Sequence, residues 1–176
     1  MLRVLGIAWL CFLLAANVAI LWLLMHHAFR RIGYVGMPAV TIAAALSALK
    51  LGQSSVLVDL GAGDGRVLAA AHKEQPGLTA IGYETNPVLT IICRVLRHGI
   101  RMKQGDLFEA NLGEATHVMV YLSPELNQRL GPKLQQELRS GARVVSVQFP
   151  VTSLKGREIF IPGAPAYANR LYVYEQ

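Results

Sequence analysis

Apolar residues fall along this chain in one long run followed by many short ones. Val4 to Met25 is apolar throughout apart from Asn17. Its 22 residues, at about 1.5 Å rise each, would span roughly 33 Å as a helix, enough for a bilayer core. The run therefore predicts a transmembrane anchor over residues 1–31. A secretory signal peptide is the competing reading, with an apolar region of about 7–15 residues ending at a small-residue cleavage site. Here Ala15-Ala16-Asn17-Val18-Ala19 is followed by six further apolar residues, Ile20 to Met25, which argues against cleavage.

The later runs are punctuated by turn signals. Ile32–Pro38 reads as a linker, with Pro38 in the first turn of a helix that runs to about Lys50. Strands are predicted at Val56–Leu60, Thr79–Glu84, Ile100–Lys103, Thr116–Leu122 and Arg143–Phe149. Helices are predicted from Arg66 to Glu74, from the Asn86-Pro87 cap to Gly99, and from Ser123-Pro124 to about Arg139. Glu158–Ile161 and Arg170–Tyr174 supply a closing hairpin. Near-continuous apolar strands alternating with helices predict an α/β fold, a parallel sheet covered by helices on both faces. Residues 32–54 form a pre-domain segment and helix, and residues 55–176 the main domain.

Charge adds orientation. The net charge is +6. Arg3 precedes the apolar run, whereas His26, His27, Arg30 and Arg31 follow it, so the C-terminal side is expected in the cytoplasm. The remaining cations are scattered without an aromatic-interleaved stripe, which suits an anionic membrane surface better than nucleic acid. The cysteines Cys11 and Cys93 and the five dispersed histidines form no metal-ligand spacing, and no metal is expected.

The candidate chemistry sits at Asp59-Leu60-Gly61-Ala62-Gly63-Asp64-Gly65. Glycines at alternate positions allow a sharp strand-to-helix turn and a close approach of ligand to backbone. A nicotinamide cofactor would want Gly-x-Gly-x-x-Gly. Glu84, ending the second strand, can accept ribose hydroxyls and fits either kind of nucleotide. Asp106 and Leu107, after the third strand, suit an adenine amine and an adenine face. Asp59 and the Gly-x-Gly-x-Gly spacing favour a ligand with an amino-acid end over a pyrophosphate, namely S-adenosylmethionine.

On these residues the chain resembles the class I S-adenosylmethionine-dependent methyltransferases, with their Rossmann-like sheet. Tyr34-Val35-Gly36-Met37-Pro38, Gly82-Tyr83-Glu84-Thr85-Asn86-Pro87, Tyr121-Leu122-Ser123-Pro124-Glu125 and Gly141–Ser146 narrow the likeness. Together with the anchor they look like the membrane-anchored protein-lysine methyltransferases, a family that includes the enzymes acting on the ATP synthase c-subunit and the adenine nucleotide translocase.

The resemblance implies that Asp59, Gly61, Gly63 and Gly65 hold the methionine end of S-adenosylmethionine. Glu84 and Asn86 would serve the ribose, and Asp106 and Leu107 the adenine. Tyr34 and Pro38 would close as a lid over cofactor and substrate. Tyr121 is the candidate catalytic residue, with Glu125 or Asn127 within reach of an incoming amine. Two departures stand out: Gly36-Met37 replaces the family's usual Pro-Thr, and the short link from Phe149 to Glu158 leaves no room for the usual helix.

The expected activity is lysine methylation on a protein at or in the membrane. A small-molecule or lipid-headgroup methyltransferase, or a catalytically silent assembly factor on the same fold, shares every cofactor residue and stays open.

Overall fold

A computed structural model describes Trp9, residues 12–20, Trp22 and residues 34–176. They belong to two compact units, Met1–Val35 and Gly36–Gln176. In the first unit the described residues up to Trp22 are helical and mostly exposed, with Trp9 stacked on Phe12 at 5.6 Å between ring centroids. Among the described residues no helix is long and apolar enough to cross a membrane. The transmembrane helix expected over Val4–Met25 is therefore not among the observed elements. Much of that stretch, with Arg3, His26, His27, Arg30 and Arg31, lies outside the described residues.

The second unit begins with helix α1, Ala39–Leu49, whose N-cap is Pro38. Then follow β1 (Val56–Leu60), α2 (Arg66–Glu74), β2 (Thr79–Glu84), α3 (Pro87–Leu96) and β3 (Ile100–Gln104). After a 3-10 turn at Leu107–Glu109 come β4 (His117–Val120), α4 (Pro124–Glu137), β5 (Arg143–Val147), β6 (Gly156–Phe160) and β7 (Arg170–Glu175).

The seven strands form one sheet in the order β3-β2-β1-β4-β5-β7-β6. β1 to β5 are parallel, and β7 runs antiparallel between β5 and β6. Alternate strand residues point to opposite faces. Leu57, Ala80, Met102, Met119, Val145 and Leu171 join the core beneath α1 and α2 and around Cys93 of α3. Val58, Leu60, Val118, Val120, Val144 and Tyr174 join the core beneath α4.

The strand order reverses between β1 and β4, so the crevice beyond their carboxyl ends is where such sheets take ligands.

Element identities match the sequence reading, while several ends are shorter than predicted. β4 stops at Val120 and β5 at Val147, although the apolar run continues in each case. Beyond β5, Gln148 adopts a left-handed backbone, φ 67°, and Phe149 N–H donates to Val147 O at 2.8 Å. That turn ends the ladder. Between β5 and β6 no helix forms, as the short link predicts.

Candidate active site

The chain passes from β1 to α2 in five residues. Gly61, Gly63 and Gly65 all have positive φ, 82°, 57° and 75°, a region L side chains rarely adopt. At Gly61 space is lacking as well, since an added Cβ would lie 2.7 Å from Leu122 Cδ2. Gly65, the N-cap of α2, packs against Cys93, so it shapes the turn.

The turn is lashed to the neighbouring strand. Gly61 and Ala62 N–H both donate to Tyr83 O at 2.9 Å. Gly63 N–H donates to Glu84 Oε2 at 2.9 Å, while Glu84 Oε1 accepts from Asn86 N–H at 2.8 Å. One carboxylate thus braces the glycine turn and the start of α3. Gly82 makes room for this, because a Cβ there would lie 2.8 Å from Ala62, Leu68 and Met102. Sequence reasoning gave Gly82 no role; a glycine inside an apolar strand was the available signal.

Asp59 is buried at 4% exposure. No donor or cation among the described residues is paired with its carboxylate. Burial first, then the nearby carboxylates of Glu84 and Asp64, push its pKa from 3.8 to about 7. A buried acid without a counter-charge is costly to ionise, and a cationic ligand group removes that cost.

Asp64 is oriented otherwise. Its carboxylate takes a bidentate bond from the Arg66 guanidinium at 2.9 and 3.0 Å, with Arg97 Nη2 at 3.8 Å. Against that guanidinium lies Gly36, whose added Cβ would sit 2.6 Å from Arg66 Nη1. A side chain at position 36 would displace the Arg66 guanidinium, and Met37 is buried in the core.

The other predicted residues fall as follows. Asn86 caps α3, its Oδ1 accepting from Val88 and Leu89 N–H at 2.9 and 3.3 Å. Asp106, exposed, caps the 3-10 turn through Phe108 N–H at 2.9 Å, and Leu107 beside it is buried. Tyr121 follows β4, its hydroxyl donating to Tyr167 O at 3.1 Å. Burial and Tyr167 raise its pKa, so it stays protonated and its oxygen can accept one further bond. Pro38 is half-buried at the start of α1. Tyr34 belongs to the N-terminal unit.

Asn127 departs from the expectation of contact with an amine. It is fully buried, with Nδ2 donating to Ser146 Oγ at 3.0 Å and Phe149 O at 2.8 Å. It anchors the turn after β5. Gln148 in that turn, which sequence reasoning passed over, accepts from Asn169 N–H at 3.2 Å. Glu125 sits at the exposed first turn of α4, its pKa held down by the Ser123 hydroxyl. Among the described residues no cluster of His, Cys, Asp or Glu could hold a metal ion.

The donor set suits a ligand with an ammonium for Asp59, a diol for Glu84 and an aromatic amine for Asp106. A sequence profile of the ANTKMT methyltransferase domain matches residues 59–158, more than half of the chain. The chain belongs to the ANTKMT methyltransferase family.

Relatives in and around that family agree. The chain is 42% identical to mouse adenine nucleotide translocase lysine N-methyltransferase over 142 residues, 73% of this chain and 61% of the relative. It therefore spans under two thirds of that relative's length. A protein-lysine N-methyltransferase of Saccharolobus islandicus is 31% identical over 147 residues, 80% of this chain and 91% of that protein. Among solved structures, an RNA methyltransferase from Salinibacter ruber in complex with S-adenosyl-L-homocysteine superimposes with a TM-score of 0.72. That pair is 32% identical and covers 80% of this chain and 93% of the other.

Proposed function

We propose that this chain is an S-adenosylmethionine-dependent protein-lysine methyltransferase acting on a membrane or membrane-associated protein. The observation that carries the cofactor reading is Asp59, a buried acid with no counter-charge, facing a glycine turn braced by Glu84. Relatives named as lysine N-methyltransferases support the substrate class. The apolar run Val4–Met25 and the arginines after it support a single-pass anchor with the domain facing the cytoplasm.

In this reading Asp59, with the backbone of Gly61 and Gly63, holds the amino-acid end. Glu84 accepts the ribose hydroxyls with lone pairs left over from Gly63 and Asn86. Asp106 keeps one oxygen for the adenine amine, Leu107 offers its apolar surface, and Pro38 serves in the lid.

Bound there, S-adenosylmethionine supplies a methyl group on a sulfonium. The chain's own work is positioning and exclusion of water. A lysine amine, with an ordinary pKa of about 10.4, must shed its proton to solvent before it attacks, and an apolar approach lowers that pKa. Tyr121 Oη, its proton donated to Tyr167 O, would accept a hydrogen bond from the neutral amine and so orient it.

A second reading, methylation of RNA, is favoured by the likeness to the Salinibacter ruber RNA methyltransferase. Radiolabelled methyl transfer into membrane fractions separates these readings. Label recovered as methyl-lysine is expected. Label in RNA or in extracted lipid overturns the lysine assignment, and donor binding without any transfer points to an assembly factor. In calorimetry Asp59→Ala and Glu84→Ala each abolish measurable donor binding; unchanged binding would overturn the site.

A further inference from the structure

The outer surface of α3 is unlike that of an ordinary surface helix, which turns polar residues to water. Leu89, Thr90 and Cys93 pack onto the sheet. On the opposite side Ile91 and Val95 are 58% and 64% exposed, and Leu96, at the C-terminal end of the helix, is 63% exposed. Three aliphatic side chains on one helix form a patch of the kind that marks a contact surface.

Along the chain, the charge near it has one sign, although Arg97 is paired with Asp64. Between Glu84 and Asp106 the sequence contains Arg94, Arg97, Arg101 and Lys103 and no acidic residue. Arg101 and Lys103 are exposed on β3, the edge strand of the sheet. Arg94 reaches from α3 to β3, its guanidinium donating to Met102 O at 3.0 Å, so helix and edge strand form one surface. Lys103 Nζ donates to Tyr83 Oη at 3.1 Å, which holds its charge at that edge.

We infer that α3 and the β3 edge dock on an anionic membrane surface, with Ile91, Val95 and Leu96 entering the headgroup boundary and Arg101 and Lys103 pairing with lipid phosphates. Aliphatic side chains ringed by cations are the composition of an interfacial helix. Nucleic acid fits less well, because the aliphatics would have no partner and His98 is the one exposed ring between Pro87 and Lys103 on which a base could stack.

Tether length agrees. Ten residues, 26–35, separate the apolar run from the folded unit, a reach of at most about 35 Å even when extended. The inference rests on the proposed anchor for proximity. It adds a second, peripheral contact with the membrane, made by the folded unit itself.

The test uses the full chain reconstituted into vesicles of phosphatidylcholine alone or mixed with phosphatidylglycerol. Hydrogen exchange is followed in residues 87–103, with α4 as the internal reference. Exchange of 87–103 should slow in the anionic vesicles and return to its phosphatidylcholine value in high salt or in Ile91→Glu/Val95→Glu. Arg101→Gln and Lys103→Gln, which leave the packed side of α3 untouched, should each weaken this docking by about fivefold, the effect of one well-placed cation.

Equal exchange in both lipids overturns the inference, as does protection that the glutamates leave intact. Protection that requires an added soluble protein instead of lipid also overturns it. A chain that fails to enter vesicles at all defeats the anchor reading. A chain that enters and methylates lysine without protecting α3 defeats only the docking surface.

Discussion

At the scale of single residues, Asp59 governs how this domain responds to pH. Its folded pKa of about 7 against an ordinary 3.8 means that between those values the folded chain holds a proton that the unfolded chain has released. Stability therefore falls as pH rises from about 4 to about 7 and levels off above. Thermal melts of the ligand-free protein should show this fall, and Asp59→Asn should remove it. Donor binding runs the other way, since an ammonium prefers the ionised carboxylate. Calorimetric affinity for S-adenosylmethionine should climb with pH up to about 7 and then flatten. A flat profile in the unsubstituted protein would place the ammonium elsewhere.

Asn127 belongs to the same scale, with a different outcome. Asn127→Ala removes both bonds that Nδ2 makes to Ser146 and Phe149 and leaves Phe149 O with the Ser146 hydroxyl alone. We expect a loss of about 2 kcal/mol in chemical denaturation, with donor affinity retained, because the residue holds the turn after β5 and not the cofactor.

Between elements, the informative junction joins the segment before α1 to the start of α2. A Cβ at Gly36 would push on the Arg66 guanidinium, which in turn orders Asp64. Gly36→Ala should lower stability, and adding Arg66→Ala should recover part of it. A coupling of about 0.5–3 kcal/mol is normal for residues in contact; strict additivity in a double-mutant cycle would show that the packing is not felt.

This junction also shows where sequence reading stops. The glycine turn, Glu84 and the order of strands and helices were legible because each needs a residue type that few other structures require. Strand ends were not. Tyr121-Leu122 continues the apolar run of β4, and Phe149 extends that of β5 past Gln148, so tertiary constraints end the ladders there. One is Leu122 closing over Gly61; the other is the left-handed turn at Gln148. Asn127 was read as a ligand because its hydrogen-bonding capacity shows in sequence, whereas its burial and the two acceptors that take its Nδ2 do not.

For the whole molecule, the two-unit division makes a separable prediction. A chain lacking residues 1–31 should keep its donor affinity in calorimetry, since the cofactor residues lie in Gly36–Gln176. On the proposed anchor, it should lose most methylation of membrane fractions. Equal labelling by both chains would remove the anchor from the account of substrate choice.

The lone buried carboxylate at the end of β1 has a consequence for the lifetime of the protein in a cell. An empty crevice leaves that charge without compensation, and a filled one supplies it, so occupancy adds RT ln(1 + [L]/Kd) to folding stability. Protease resistance then tracks the supply of methyl donor. Cells starved of it would clear this protein faster, and pulse proteolysis with and without S-adenosylmethionine measures how much faster.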